Sequence, residues 1–208
     1  MTHAMNCKRG GFIAIRHNDI RDFEASLLSK VCADVEIEPA LFPLQNEVMP
    51  TGTITGDEAR LDVRARGFWR RGQNAYFDVC VTNASAKSQS TQSVKSVLTK
   101  HEKRKKNEYN QRVVDVEHGT LTPLIFTVNG CMGPECATFH KSLADKIAQK
   151  SGEKYADVIN IIRCKLSYII LRSAILCLRG SRSHTSNNNL VSIGDDFGIY
   201  ATDVRLKK

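Results

Sequence analysis

The chain has 208 residues, enough for one well-cored domain and too few for two comfortable ones, and 41% hydrophobic with 25% charged residues excludes a wholly disordered or collagen-like polymer. Its 30 lysines and arginines against 22 acids give a net charge of +8, which favours an anionic partner without naming it. Seven cysteines are an odd number, and five of them (Cys32, Cys80, Cys131, Cys164, Cys177) sit among apolar residues, which predicts reduced, buried thiols in an intracellular protein. The opening Met-Thr-His-Ala-Met carries no apolar stretch of the signal-peptide kind. The most apolar segment, 155–178, is interrupted by Arg163, Lys165 and Arg172, so no membrane partner is expected.

In chain order, 18–31 places Ile20, Phe23, Leu27, Leu28 and Val31 on one stripe, with Asn18 as N-cap, and predicts an amphipathic helix. After Pro39 and Pro43 the stretch to Asp57 reads as a loop. The alternation in 59–68 and 75–82 predicts two strands, joined as a hairpin through Arg70, Arg71, Gly72 and Gln73. A Ser-rich loop, 84–93, leads into a long helix, 94–117, stopped by His118-Gly119. A buried strand over 121–128, a helix over 135–150 and a largely buried last helix over 155–178 complete the ordered part. From Ser181 the composition turns polar and Asn-rich, which predicts a disordered or loosely attached tail. The fold class expected is α/β, a small mixed sheet flanked by helices.

Two aspartates interrupt the apolar strands, Asp62 in RLDV and Asp78 in FDVCV. Burying a carboxylate is costly unless something compensates it. A shared divalent cation would do so; so would an exposed strand face or an ion pair to Arg60, Arg64, Arg66 or Arg70. On the long helix, at about 100° per residue, Val94, Leu98, Glu102, Lys105, Tyr109, Val113 and Val116 share a face, with Lys106 at its margin. Charged groups on a core-directed stripe need partners. Metal-dependent phosphodiester cleavage would give them one, and so would a lysine stem that runs along the core and ends in solvent. Between Val94 and Arg112, seven bases against two acids give a local charge of +5. With the arginines around Trp69, this predicts a basic groove beside the aspartates that would bind a phosphate backbone.

The strings HAMNCKRGGF, RHNDIRD, ARLDVRARGFW, AYFDVCVTN, HEKRKKNEY, VEHGTLTPLIFTVNG and RCKLSYIILRSAILCLRGSR together resemble the C-terminal region of non-LTR-type retroelement polyproteins. In that family the region follows a reverse transcriptase and resembles a restriction-enzyme-like endonuclease of the PD-(D/E)XK superfamily. The resemblance spans His3 to about Arg182. It implies a restriction-endonuclease-like core in which Asp62 and Asp78 hold Mg²⁺ or Mn²⁺. Lys105, one turn before Tyr109, stands in for the motif lysine whose place is taken by Cys80, and Leu61 occupies the place of the motif proline. Glu102 and Tyr109 would support these residues, and Glu24 matches an additional helix acid. Arg70, Arg71, Lys103, Arg104, Lys106 and Arg112 would contact nucleic acid.

His3-x-x-x-Cys7 resembles the last two ligands of a zinc knuckle lacking its first pair, so no stable zinc is expected; Cys131-x4-Cys136 is a half-site without a companion. The chain is accordingly divided into a zinc-knuckle remnant (1–12), an endonuclease-like domain (13–180) and an unrelated tail (181–208). The expectation is a DNA-nicking nuclease, with RNA as the other nucleic acid in view, nuclear, and derived from a polyprotein or a degenerate fragment of one. A catalytically inactive nucleic-acid-binding module of the same fold is the alternative.

Overall fold

A computed structural model describes residues 5, 10–42, 44, 59–86, 88–89 and 91–179. The proposed zinc-knuckle cysteine, most of the Pro- and Gly-rich loop and the tail from Ser181 lie outside the described residues. The elements run α1 (Phe12–Leu28), β1 (Val35–Ile37), β2 (Val63–Arg66), β3 (Asn74–Thr82), α2 (Val94–Asp115), β4 (Thr120–Thr127), α3 (Pro134–Ser151) and α4 (Tyr155–Arg179). The strands form one open sheet in the order β1-β2-β3-β4. The first two pairings are antiparallel and β3 with β4 is parallel, so α2 is the crossover that parallel neighbours require. The fold is therefore mixed α/β.

Alternation along β3 sorts its side chains onto two faces. Ala75, Phe77 and Val79 join Val63, Ala65, Leu124 and Phe126 in the main core, covered by Ile20 and Leu28 of α1, Phe139 and Leu143 of α3, and Ile162 and Leu166 of α4. On the opposite face Tyr76, Leu61 and Leu121 pack against Val113 and Tyr109 of α2. The sheet is thus sandwiched between helix layers, and Asp78, two residues from Tyr76, faces α2. Pro123 sits on β4, an outer strand of the sheet, where a missing N–H costs no ladder bond on the open side.

The second hairpin strand, the crossover helix, β4 and the last two helices lie within two residues of the predicted boundaries, whereas β2 begins at Val63, four residues after the predicted start of the first hairpin strand at 59. Other expectations need correction as well. α1 begins at Phe12 behind Gly11, whose φ of 72° suits glycine, so Asn18 is inside the helix and is not its cap. β1 was not anticipated, because three residues with only Val35 half-buried carry too little periodicity to register. Cys131, in the turn before α3, and Cys164, on the outer face of α4, are exposed free thiols, whereas Cys136 is buried: the placement of each side chain, not apolar company in sequence, decides which cysteine faces the core.

Candidate active site

Antiparallel pairing sets the first part of the site. Val63 stands opposite Phe77, and Asp62, on the bend one residue before β2, comes close enough to Asp78 for its charge and a hydrogen bond to act on the Asp78 carboxyl. Like charges directly across a ladder repel, so this pair is stable only with compensation. Asp62 obtains it from two donors: Val79 N–H lies 2.6 Å from its Oδ2, and His17 Nε2 lies 3.2 Å from the same oxygen. His17 also stands 3.2 Å from Val79 O.

Asp78 is 5% exposed and its compensation comes from across the core. Lys105 Nζ is 2.9 Å from Asp78 Oδ2. Burial pushes the Asp78 carboxyl up to about 6; Lys105 opposes that rise and Asp62 adds to it. Despite the ion pair, Oδ2 is buried without an aligned hydrogen bond. On Lys105, burial alone would favour the neutral amine, but the Asp78 carboxylate outweighs it and the net shift is upward. The ammonium also lies over the Tyr109 ring, 5.3 Å from its centroid. Burial raises the Tyr109 phenol to about 12, so it stays protonated.

Two adjacent carboxylates, one of them buried, would suit a hard divalent ion that took the place of Lys105 at Asp78 Oδ2. Mg²⁺ needs only one or two protein carboxylates when substrate phosphate and water complete its shell. Among the described residues no group of three or more His, Cys, Asp or Glu side chains converges as a protein-only metal cage, and a two-carboxylate site does not require one.

Other predicted site residues go elsewhere. Glu102 is buried, but its Oε1 accepts the backbone N–H of Glu135 at 2.9 Å, at the start of α3. Lys106 pairs with the Glu135 side chain at 2.8 Å. Arg112 cannot be a phosphate contact as it stands: it is 2% exposed, since it lies on the same helical face as Tyr109 and Val113. Lys103 and Arg104 are exposed and line an open depression of about 740 Å³ with Lys95, Lys100 and Asn107. Lys103 is roughly 160° around the helix from Lys105, so this basic depression is on the outward side of α2 and not over the carboxylates. Arg70 and Arg71 are exposed in the β2–β3 turn, roughly 13 Å along the strand from Asp78. The basic residues therefore surround the site from several sides and do not form one groove beside it.

Glu24 points away from the aspartates. Its Oε1 is 2.8 Å from His140 Nε2, while His140 Nδ1 is 3.6 Å from Cys136 Sγ, all three inside the main core. Burial first, then the Glu24 and Glu102 charges, raise the Cys136 thiol well above the ordinary range, which makes it an inert partner. His17 is the side chain that α1 supplies, and sequence reasoning missed it because the helix was started one residue later. Its signal was present: His17 lies three residues before Ile20, on the buried stripe of a helix that begins at Phe12.

No known protein-family profile matches this chain, and a search of curated proteins finds no significant match.

Proposed function

We propose that the chain is a restriction-endonuclease-like, metal-dependent DNA endonuclease domain of a retroelement polyprotein, carried downstream of a reverse transcriptase. The observation that carries this reading is the cross-strand pair Asp62–Asp78 with Lys105 delivered onto Asp78 by the crossover helix. Asp62 and Asp78 would hold Mg²⁺ or Mn²⁺, which supplies Lewis acidity at a phosphoryl oxygen and a water of lowered pKa. Lys105 holds a positive charge at Asp78 Oδ2, beside any phosphate brought to the pair, where it can stabilise developing negative charge. His17 holds Asp62 by one oxygen and so fixes the orientation of the carboxylate. The basic depression on α2 and the β2–β3 turn would meet the phosphate backbone outside the reacting centre.

A second reading, a DNA-binding module without catalysis, is favoured by one observation: Lys105 already neutralises Asp78 without a metal. Purified protein with supercoiled plasmid and Mg²⁺ or Mn²⁺ separates the two. The expected result is nicked circles with the wild-type chain and a loss on the order of 10²-fold or more in Lys105→Ala. Asp78→Asn should be inactive. Salt-sensitive plasmid binding with no nicking in either metal would establish the second reading, and nicking that survives Asp78→Asn would remove Asp78, and with it the paired-carboxylate mechanism, from the chemistry. A structured RNA offered in parallel reports whether DNA is the preferred polymer.

A further inference from the structure

The last helix carries two apolar stripes. One, including Ile162, Leu166, Ile170 and Cys177, is buried in the body of the protein. The other is Ile161, Cys164, Tyr168, Leu171, Ile175 and Leu178, with Ile161 at 52%, Tyr168 and Leu171 at 60%, Ile175 at 45% and Leu178 at 51% exposure. These positions are spaced 3, 4, 3, 4, 3, the a and d positions of a heptad sustained over the whole outer face of α4. A stripe that only needed to pack on its own sheet would not repeat on the solvent side. The expectation of a largely buried last helix is corrected accordingly.

We infer that this face is a self-association seam, occupied by α4 of a second copy in parallel orientation. Charge sets the orientation. The flanking e positions are all basic (Lys165, Arg172, Arg179), and the g positions are Asn160, Ser167 and Ala174. An antiparallel pair would bring Lys165 beside Arg172 of the other copy. A parallel pair sets each basic e residue against an uncharged g residue, so like charges never meet across the interface. Parallel register also brings Cys164 opposite its own counterpart, whereas antiparallel register would set it against Ile175.

Size sets the strength. The stripe is about 26 Å long on a helix about 12 Å wide, so each copy buries on the order of 400 Å², below the ~800 Å² of a standard stable interface. A cleft of about 530 Å³, lined by Leu171, Ala174, Leu178, Val128 and Asn129, lies beside the C-terminal half of the seam. Association is therefore expected in the micromolar range and not tighter.

Sedimentation of the full chain from about 1 to about 200 µM tests this. A monomer–dimer equilibrium is expected, abolished in Tyr168→Glu/Leu171→Glu with an unchanged circular dichroism spectrum, and independently weakened in Ile175→Lys. A short bis-maleimide should cross-link the wild-type dimer and fail on Cys164→Ser, which should still dimerise. A wild-type chain that stays monomeric throughout, whatever covers the seam, overturns the proposal. So does a dimer that survives both sets of substitutions. Absence of cross-linking in a wild-type dimer, or its persistence in Cys164→Ser, overturns the parallel register.

Discussion

Glu102 on α2 caps α3: its Oε1 accepts Glu135 N–H at 2.9 Å, at a helix whose own N-cap, Gly133, has no side chain to do so. An N-terminus leaves backbone donors unpaired and carries partial positive charge, and a buried carboxylate answers both. A Cβ at Gly133 would run into the Glu102 carboxylate and push it off Glu135 N–H. Glu102→Ala is expected to lose about 1–3 kcal/mol in urea unfolding, and Gly133→Ala to be destabilised as well. Glu102→Gln keeps an acceptor oxygen and should stay near wild type in stability and in plasmid nicking. Loss of nicking in a stably folded Glu102→Gln would return this residue to the reacting centre.

That capping role shows where sequence reading succeeds and where it stops. Period 2 around Phe77 and period 3.6 around Lys105 were legible, so the strand pair and the inward face of α2 were too, whereas the ion pair of Lys105 with Asp78 was not. Which inward charge meets which partner depends on register and helix phase across the core. Glu102 and Lys105 are three residues apart on one face, yet one meets the start of α3 and the other meets β3. Arg112 failed for the same reason: a basic residue in a charge run is indistinguishable in sequence from its solvated neighbours until the helix is seated. His17 was lost to a boundary error of a few residues.

Divalent metal should stabilise the folded chain through the aspartate pair. Binding to the native state alone contributes RT ln(1 + [M]/Kd), so Mg²⁺ or Mn²⁺ at about 100 times its Kd adds about 2.7 kcal/mol. Thermal unfolding with Mn²⁺ against EDTA should show a rise in Tm for wild type and none for Asp62→Asn or Asp78→Asn. Lys105→Gln removes a cation that sits on Asp78 Oδ2 and competes for it, so its metal response should be larger while its nicking falls. Equal responses in wild type and Asp78→Asn would mean that the ion binds elsewhere.

The outer face of α2 gives a separate handle on nucleic-acid binding. Lys95, Lys100, Lys103 and Arg104 line the open depression there, distant in helical phase from Lys105. Each phosphate contact removed lowers the slope of log K against log [salt] by about 0.9 for duplex DNA. Lys100→Gln/Lys103→Gln should therefore weaken plasmid binding alike for unrelated sequences, lower the slope by about 2, and leave metal-dependent Tm untouched. An unchanged slope would place the DNA path on the side of the β2–β3 turn, where Arg70 and Arg71 are exposed, and Arg70→Gln/Arg71→Gln would then carry the effect.

Asp78 makes the metal-free protein less stable as pH rises. Burial lifts its carboxyl from 3.8 to about 6, so across that interval the native state holds a proton that the unfolded chain has released. Native protein then binds more protons than unfolded, and stability falls with increasing pH through the interval and levels off above it. The loss across the interval is on the order of 2–3 kcal/mol, because a tenfold change in proton activity is worth about 1.4 kcal/mol per proton. Asparagine at 78 has no proton to lose over this interval, so the difference between the two curves reads the Asp78 proton. Denaturant unfolding in EDTA, wild type against Asp78→Asn, should give a stability difference that declines between about pH 4 and pH 6 and is flat from there to pH 8. Parallel curves across that range would mean that Asp78 is already ionised at pH 4, held so by Lys105, and that the pair carries no strain for a metal ion to relieve.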